Sequence, residues 1–326
     1  MKITIIGSGS WGVALAVHLV KLGHEIRMWS YSQEETKLIN NQRKCKFLPN
    51  IRIPQGITCF LEFKEAIENS DIILHVTPSK ATRNVIEQYK LYVKDQPVIM
   101  CSKGFEAETL YTLDEVLKEE LPSSKIGALS GPSHAEEVSI GVPTALVIAS
   151  EYQEVCEMVK NNFACPDLRI YTSRDVKGVE LGGGLKNIIA FCAGVAAGME
   201  LGDNTFAALI TRGLVEISRL GVAMGGQQNT FYGLTGLGDL IVTCLSEHSR
   251  NRKAGLLIGK GATIEEAKKE VGQTIESIDN IEIAYKLMKK YQVHMPIVET
   301  VYEVLFCNLS PQDAVKRLMT RDLREE

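Results

Sequence analysis

The segment KITIIGSGSWGVALAVHLVK, residues 2–21, decides the fold. Its β-branched start predicts a strand, the G-x-G-x-x-G of Gly7, Gly9 and Gly12 follows at once, and helical spacing continues to about Leu22. In that context the first glycine makes a tight turn, the second lets a pyrophosphate approach the backbone, and the third lets the helix pack closely on the strand. The pyrophosphate then lies at the positive end of the helix dipole. The segment therefore predicts dinucleotide binding in preference to a purely structural turn.

The residues after the second predicted strand leave the choice of dinucleotide open. Enzymes that use NAD usually carry an acidic residue where this strand ends, and enzymes that use NADP carry an arginine nearby. Here the strand at about 25–29 is followed by Ser30-Tyr31-Ser32, which supplies neither. A second phosphate-binding motif is weak, because GLLIGKG at 255–261 has three residues between its glycines instead of four and lacks Ser or Thr after Lys260. We therefore expect NAD or NADP as the cofactor.

The alternation of strands and helices predicts an α/β protein followed by a helical domain. At 326 residues the chain exceeds the usual size of a single hydrophobic core. Up to about residue 172, apolar β-branched runs alternate with helical patterns, which is typical of a Rossmann-type, doubly wound, mostly parallel sheet. Helical spacing then covers 176–200, 205–221, 264–270 and 278–291. We predict an NAD(P)-binding domain at 1–178 and an all-α substrate and catalytic domain at 179–326. The runs interpreted as strands are KITIIG, HEIRMW, DIILHVT, PVIMCS, KIGALS, TALVIA and LRIYT.

Composition and charge argue against several kinds of partner. The net charge of −4 offers no general attraction for nucleic acid or for an anionic membrane. The longest weakly polar run, 188–199, is shorter than the roughly 20 residues needed to cross a bilayer. Eight cysteines without a C-x-x-C pair indicate neither a zinc site nor a disulfide framework, and reduced thiols are typical of the cytoplasm. We expect a cytoplasmic protein with no metal, nucleic acid or membrane partner.

Polar residues after the predicted strands are candidates for ligand contacts, because open α/β sheets bind ligands beyond the carboxyl ends of their strands. Lys103, in the segment SKG, either holds a phosphate or carbonyl oxygen or remains a solvated surface group. The segment from Gly131 to Ser133 predicts a helix start with Ser133 as its cap, and the same N–H groups can bind an anion. His75 and His134 have no carboxylate at a recognisable spacing, so we interpret both as structural or as supports for residues that contact the ligand.

A lysine after three glycines is the candidate acid/base group of the second domain. Gly182 to Gly184 each cost about 1 kcal/mol relative to alanine inside a helix, so close approach by a ligand or another backbone should offset that cost. Lys186 follows them and precedes a long uncharged run. We therefore expect partial desolvation, which lowers the pKa of a lysine and lets it exchange a proton near neutrality.

The stretch GLTGLGDLIVTCLSEHSRN, residues 233–251, carries a carboxylate and, later, a guanidinium. Asp239 lies among glycines, which predicts a flexible loop. Arg250 offers a planar fork suited to phosphate, flanked by the hydroxyl of Ser249 and the amide of Asn251. The alternative is a surface ion pair between Asp239 and Arg250, and the residues alone leave the two interpretations level.

Long motifs resemble one enzyme family, in the expected order, along the whole chain. The segments GGGLKNIIAFCAGVAAGMELGDNTFAALITRG, TFYGLTGLGDLIVTC and SRNRKAG, with the N-terminal glycine motif, SKG and SGPSHAEE, resemble NAD(P)-dependent glycerol-3-phosphate dehydrogenase of the bacterial type. The resemblance implies reversible hydride transfer between NAD(P)H and dihydroxyacetone phosphate, which yields sn-glycerol 3-phosphate for phospholipid synthesis. It also implies a Rossmann domain joined to a helical domain, and a homodimer.

The same resemblance implies roles for individual residues. Lys186 is the proton acceptor in alcohol oxidation, and Lys103 and Asp239 complete the catalytic group. The implied cofactor contacts are Gly7, Gly9, Ser10, Trp11, Gly12, Lys103, Ala135, Arg250, Thr274 and Glu276. The implied substrate contacts are Lys103, Gly131, Ser133, Lys186, Asp239, Ser249, Arg250 and Asn251. Two departures bear on the choice between NAD and NADP: Thr274 and Ser277 differ from the family pattern around Glu276, and the basic residues that many members carry after the second strand are absent at Ser30-Tyr31.

Two other functions share part of this pattern. A 3-hydroxy-acid dehydrogenase also combines a Rossmann domain, a helical domain and a catalytic lysine near an asparagine, but it needs a carboxylate site instead of a phosphate pocket. A redox sensor would bind a dinucleotide and signal through its helical domain, and it has no use for Lys186 beside Asp239.

Overall fold

The chain divides into two compact units, Met1–Glu180 and Leu181–Glu326. The computed structural model describes residues 1–272 and 275–321. The first unit alternates strands and helices, and the second is helical throughout its described part. The predicted fold class is therefore confirmed.

One sheet forms the centre of the first unit. Its eight strands, counted over the described residues, are β1 Lys2–Ile6, β2 Glu25–Trp29, β3 Ile57–Phe60, β4 Ile72–His75, β5 Val98–Met100, β6 Ile126–Ser130, β7 Thr144–Ser150 and β8 Leu168–Ser173. Their order is β3-β2-β1-β4-β5-β6-β7-β8, and the β6–β7 pair is antiparallel whereas the other pairs are parallel. The order reverses between β1 and β4, so this topology predicts a ligand crevice beyond the carboxyl ends of those two strands.

The strand β3 was missed by the sequence analysis, which predicted seven strands. It has four residues, and the side chains of Thr58 and Phe60 are not buried. Four residues with two buried side chains give too short a pattern to distinguish a strand from a loop. The segment becomes a strand because it pairs in parallel with β2 at the edge of the sheet, which the local sequence does not indicate.

The first unit contains seven α-helices within the described residues: α1 Ser10–Lys21, α2 Gln33–Lys37, α3 Phe63–Ile67, α4 Thr82–Tyr89, α5 Leu113–Glu120, α6 Ala135–Ile140 and α7 Gln153–Phe163. Helix α8, Val176–Gly198, contains the boundary between the units. The second unit continues with α9 Asp203–Ala223, α10 Gln228–Phe231, α11 Asp239–Leu245, α12 Arg250–Gly259, α13 Ile264–Val271, α14 Glu276–Lys290, α15 Pro296–Phe306 and α16 Pro311–Met319. Short 3-10 segments cover Ser79–Ala81 and Lys90–Tyr92, and π-helical segments cover Leu38–Gln42 and Leu234–Gly238. The predicted helical stretches of the second domain are confirmed.

Apolar side chains cover both faces of the sheet. On β1, Ile5 belongs to one core cluster and Ile6 to the other, and on β4 Leu74 and Ile73 divide in the same way. Successive side chains of a strand point to opposite faces, so a strand buried on both sides needs a continuous apolar run. This explains the apolar segment DIILHV.

Helix α8 covers most of the stretch 176–200 that the sequence predicts as helical, and it is long and apolar. Over the described residues it is the one helix whose length and composition would allow it to span a membrane, and 83% of its most apolar window is buried inside the protein. The helix contains Lys177, Glu180 and Lys186 among its apolar residues. A buried core helix satisfies the same criteria of length and composition.

Four glycines let α8 and α12 touch backbone to backbone. Gly194 and Gly198 are spaced by four residues on α8, as are Gly255 and Gly259 on α12. A Cβ built on Gly194 would lie 2.0 Å from the carbonyl oxygen of Arg252, and Cβ atoms on Gly198 and Gly259 would each lie 2.3 Å from a carbonyl oxygen of the facing helix. The glycines of the segment that imitates a phosphate-binding loop therefore serve helix packing.

Replacing Gly255 by alanine is expected to lower the free energy of unfolding by about 1–3 kcal/mol or more. Its new Cβ would lie 2.0 Å from the Phe191 carbonyl oxygen. Helix propensity alone would make the alanine variant more stable than wild type. A loss of stability would therefore come from the packing contact and not from propensity. Gly202→Ala is the matched control, since no atom of the described chain lies within 4 Å of that Cβ; a change below about 1 kcal/mol is expected there. Urea unfolding of both variants gives the comparison, and equal effects would contradict the packing argument.

A buried carboxylate meets the start of α15. Ile297 N–H donates to Oε1 and Oε2 of Glu216 at 2.9 and 3.1 Å, and Val298 N–H donates to Oε2 at 3.2 Å. Burial raises the pKa of Glu216 to about 7, and the two N–H groups offset only part of that rise. Glu216 therefore connects α9 to α15, and the folded protein is less stable when this carboxyl group is ionised.

Glu216→Gln is expected to stabilise the protein at about pH 8 and to lose that advantage as the pH falls. The pKa of Glu216 is higher in the folded state than in the unfolded state, so protonation of Glu216 stabilises the fold. In the wild type this stabilisation is full below about pH 4.5, and it disappears as the pH rises through about 7. The gain of the variant at pH 8 should reach about 3 kcal/mol. Unfolding titrations at several pH values test this, with Glu282→Gln, a half-exposed carboxylate, as the control. A constant difference between wild type and Glu216→Gln from pH 5 to 8 would refute it.

Candidate active site

The glycine motif forms an open cradle at the start of α1. Gly7 has a φ of 126°, and a Cβ there would lie 2.7 Å from the Val76 carbonyl oxygen, whereas a Cβ on Gly12 would lie 2.2 Å from the Gly7 carbonyl oxygen. A Cβ on Gly9 would meet no atom of the described chain within 4 Å. Gly7 and Gly12 thus pack closely against backbone atoms, whereas Gly9 faces open space at the N-terminus of α1. This arrangement fits the pyrophosphate of a dinucleotide. The predicted cofactor residues Ser10 and Trp11 begin α1 and are partly buried.

Three predicted site residues of the first unit meet at one carbonyl group. The Nζ of Lys103 donates to the Gly131 carbonyl oxygen at 3.1 Å, and the Oγ of Ser133 donates to the same oxygen at 3.0 Å. The prediction that Ser133 caps a helix is wrong, because its hydroxyl is used in this contact. Helix α6 begins at Ala135, with His134 in the N-cap position.

His75 is structural, as predicted. Its ring lies within hydrogen-bond distance of the Tyr89 hydroxyl at 3.2 Å and of the Thr77 hydroxyl at 2.6 Å. Complete burial lowers the pKa of His75 to about 3, so the imidazole is neutral at physiological pH. It holds the end of β4 in place and is not a candidate acid.

A buried ion pair forms the centre of the second unit's site. The ammonium of Lys186, which is 6% exposed, donates to Oδ1 of Asp239, which is 1% exposed. The same ammonium donates to Oγ1 of Thr243 at 2.8 Å, and that hydroxyl donates to the Asp239 carbonyl oxygen at 2.6 Å. Asp239 therefore gives the lysine an ionic partner, and Thr243 gives it a neutral one. The interpretation of Asp239 as part of a surface ion pair does not apply.

Asp239 lies on a helix, and the prediction of a flexible glycine-rich loop is wrong. The π-helical segment Leu234–Gly238 leads directly into α11, which begins at Asp239. A Cβ on Gly236 would lie 2.0 Å from the Phe231 carbonyl oxygen, and a Cβ on Gly182 would lie 2.7 Å from the Thr235 carbonyl oxygen. Gly182 and Gly236 therefore allow tight packing, which the sequence analysis expected for Gly182 but not for the later segment.

Thr243 was missed by the sequence analysis. It follows Asp239 by four residues, so the two side chains lie one turn apart on the same helix face. Had the segment been predicted as helical, that spacing would have marked Thr243 as a neighbour of the carboxylate. The error in secondary structure concealed this residue.

Side-chain amides connect three helices around the lysine. Asn187, next to Lys186 on α8, donates to Oε2 of Glu276 at 2.9 Å. Oδ1 of Asn251 on α12 accepts from the N–H of Ser277 at 3.0 Å. Both contacts reach the first turn of α14, so the start of this helix is fixed by α8 and α12.

The remaining predicted residues lie at the start of α12 or outside the described chain. Ser249 is buried and caps α12, since its Oγ accepts from the N–H of Arg252 at 3.2 Å. Arg250 is exposed at the first position of this helix. Thr274 lies outside the described residues.

A thiol next to this site is chemically inert. Burial raises the pKa of Cys244 to about 12, although the charge of Lys186 opposes the rise. A thiol with so high a pKa carries almost no thiolate at neutral pH, and the thiolate is the reactive form. The second unit's site therefore depends on nitrogen and oxygen groups.

Removing the carboxylate should destabilise the protein strongly, because it leaves the Lys186 ammonium buried without its counter-charge. Asp239→Ala is expected to lower the free energy of unfolding by about 3–5 kcal/mol, and the double variant Lys186→Met/Asp239→Ala by less than the sum of the single variants. The control is Glu265→Ala, which removes an exposed i,i+3 pair with Lys268 and should cost less than about 1 kcal/mol. Additive effects in the cycle, measured by chemical denaturation, would show that the pair is not coupled.

A Rossmann-type unit with an open glycine cradle, followed by a helical unit with a buried lysine, is typical of NAD(P)-dependent dehydrogenases. The chain belongs to the NAD-dependent glycerol-3-phosphate dehydrogenase family. The family's N-terminal domain matches residues 2–156, and its C-terminal domain matches residues 175–316. This confirms the resemblance found in the sequence, the enzyme class and the dependence on NAD(P).

Relatives match over the whole chain. The enzyme of Fusobacterium nucleatum named glycerol-3-phosphate dehydrogenase [NAD(P)+] is 50% identical, and the match covers 100% of this chain and 98% of the relative. The enzyme of the same name from Thermoanaerobacter sp. is 48% identical, with 100% and 99% covered. A crystal structure of glycerol-3-phosphate dehydrogenase from Coxiella burnetii is 37% identical and superposes with a TM-score of 0.95, covering 98% of this chain and 99% of that one.

Proposed function

We propose that this protein reversibly reduces dihydroxyacetone phosphate to sn-glycerol 3-phosphate with NAD(P)H, and that Lys186 is its general acid and base. The buried contact of Lys186 with Asp239 and Thr243, in a chain of this family, is the observation that carries the proposal. Bound NAD(P)H supplies the hydride. The groups of the chain bind the substrate and manage the proton.

The proton transfer follows from the position of the ammonium. Reduction of a ketone builds negative charge on the carbonyl oxygen, which an ammonium stabilises and then protonates. Asp239 and Thr243 hold Lys186 in one orientation, so little reorganisation is needed when charge develops. In the oxidative direction the neutral amine accepts the proton of the alcohol. The lowered pKa expected for this lysine stays a prediction.

The phosphate group is assigned to the start of α12. Arg250 is exposed there, and its planar guanidinium can bind two phosphate oxygens at once. The contact from Ser277 N–H to Oδ1 of Asn251 directs the Asn251 amide to act on a ligand through its Nδ2 donors. Ser249 caps the helix with one lone pair and keeps its hydroxyl proton, and we propose that this proton is donated to a phosphate oxygen of the substrate.

The two parts of the chain then have separate tasks. We assign cofactor binding to residues 1–178, with Gly9 and the start of α1 at the pyrophosphate, and substrate chemistry to residues 179–326. We also assign ligand contacts to Lys103, Gly131 and Ser133, which are joined by the hydrogen bonds of Lys103 and Ser133 to the Gly131 carbonyl oxygen. We further propose a cytoplasmic homodimer that supplies sn-glycerol 3-phosphate for phospholipid synthesis.

The proposal is tested by the oxidation of NADH and NADPH with dihydroxyacetone phosphate. Lys186→Ala should lower kcat by about a hundred- to ten-thousandfold while dinucleotide binding, followed by protein fluorescence, is retained. Arg250→Ala should raise KM for the substrate by about ten- to a hundredfold, which corresponds to the loss of charged hydrogen bonds. Lys253→Ala, an exposed cation on the same helix whose Nζ contacts Glu270, is the matched control and should leave KM unchanged.

Two results would contradict the assignment. Full activity in Lys186→Ala would remove the general acid and favour a dinucleotide sensor. Turnover of 3-hydroxy acids without inhibition by inorganic phosphate, from folded protein inactive with dihydroxyacetone phosphate, would favour the hydroxy-acid dehydrogenase.

A further inference from the structure

We propose that the cofactor site at the end of β2 selects a ribose with a free 2′-hydroxyl, so that NADH is preferred to NADPH, and that Tyr31 sets this preference. The inference rests on the proposed function, because it names the cofactor of that reaction. The relatives are named for NAD(P)+, which leaves this choice open.

Ser30 joins the end of β2 to the glycine motif and is held by hydrogen bonds within the protein. It is buried, and its Oγ accepts hydrogen bonds from Oγ of Ser8 at 2.7 Å and from the N–H of Ser32 at 3.2 Å. A hydroxyl accepts two hydrogen bonds and donates one, so both acceptor positions are occupied. The last residue before Tyr31 is therefore fixed by the protein itself, and the loop cannot easily widen for a phosphate.

The start of α2 opposes a second anion. The Oγ of Ser32 accepts from the N–H of Glu35 at 3.2 Å, so the cap position of this short helix is filled. Glu34 and Glu35 lie in its first turn, and the Glu34 side chain is exposed. A 2′-phosphate at the end of β2 would lie near this carboxylate, and like charges repel.

The basic residues near β2 are engaged elsewhere or lie outside this loop. The segment SYSQEET, residues 30–36, contains no Lys or Arg. Arg27 donates to the Glu68 carbonyl oxygen at 2.9 Å, and Arg43 donates to the Ile57 carbonyl oxygen at 2.8 Å. Lys46 is the cation that could oppose the preference. It is exposed, and its neighbour Cys45 lies with its Sγ 3.9 Å from the Ser8 carbonyl oxygen.

Tyr31 presents a neutral aromatic surface at the position where a discriminating charge would lie. Its side chain is 85% exposed and directly follows Ser30 at the carboxyl end of the strand beside β1. A phenol ring can contact the adenosine part of either dinucleotide, but it cannot neutralise a phosphate. A 2′-phosphate placed here would lose hydration without gaining a cationic partner from residues 30–36. NADPH thus loses affinity that NADH retains.

Calorimetric titration of the full chain with NAD⁺, NADP⁺, 5′-AMP and 2′,5′-ADP tests the preference independently of turnover. Wild type should bind NAD⁺ about tenfold or more tightly than NADP⁺. Tyr31→Arg should strengthen binding of NADP⁺ and 2′,5′-ADP by about ten- to a hundredfold, with little change for NAD⁺ and 5′-AMP, and added salt should reduce the gain. Leu91→Arg is the matched control, since Leu91 is also 85% exposed and lies in the 3-10 segment before β5; it should change none of the four affinities.

Three results would overturn the proposal. Equal or tighter binding of NADP⁺ by wild type would do so directly. A Lys46→Ala variant that loses tenfold or more in NADP⁺ affinity alone would show that a phosphate site exists there. If Tyr31→Arg and Leu91→Arg raise NADP⁺ affinity equally, the effect is general charge and not position. Failure of folded wild type to bind either dinucleotide would instead refute the proposed function, and the preference with it.

Discussion

The buried ion pair of Lys186 and Asp239 sets the requirement that the second unit has to meet. Removing an ammonium and a carboxylate from water costs several kcal/mol per ion, and their attraction repays this only when both groups are held in good geometry with further hydrogen bonds. Thr243 supplies one such bond to the lysine and returns one to the backbone of Asp239. A helical unit that merely enclosed these residues would be destabilised by them, so the helices have to be positioned closely.

Glycine provides that close positioning, and its use explains why the glycine-rich segments are rigid. A side chain on Gly182 or Gly236 would collide with the backbone that carries Asp239 into place, and a side chain on Gly255 would separate α12 from α8. In the first unit Gly7 and Gly12 are equally constrained, whereas Gly9 faces open space among the described residues. Dense packing without voids lets these contacts transmit position precisely. The same residue type thus builds close contacts at these positions and leaves space for a ligand at Gly9.

The sequence predicted the fold well because seven of the eight strands and the long helices each carry their own period. The first unit's sheet, the cradle and the helical second unit follow from alternation, spacing and one glycine motif. The strand β3 could not be predicted, because its four residues bury only two side chains and its place comes from pairing with β2. For the site, the residue types at Lys186, Asp239 and Arg250 were identifiable from the sequence. The helical state of Asp239 was not, because local preference favours a loop for a glycine-rich segment and tertiary contacts decide otherwise.

The arrangement of donors around the lysine suggests how a substrate can enter without breaking the ion pair. Of the two acceptors Asp239 and Thr243, the neutral Thr243 hydroxyl is the one that an incoming carbonyl oxygen can replace more easily at the Lys186 ammonium, because the Asp239 carboxylate is charged. Exchange at Thr243 leaves the charge balance of the buried site intact, whereas exchange at Asp239 would expose two uncompensated charges to a low dielectric. Lys103 and Ser133 follow the same logic, since both donate to the neutral Gly131 carbonyl and a charged ligand oxygen would be the better acceptor. Neutral acceptors therefore hold the donors in position and can be displaced by a ligand oxygen, while the ionic contact keeps the lysine oriented throughout.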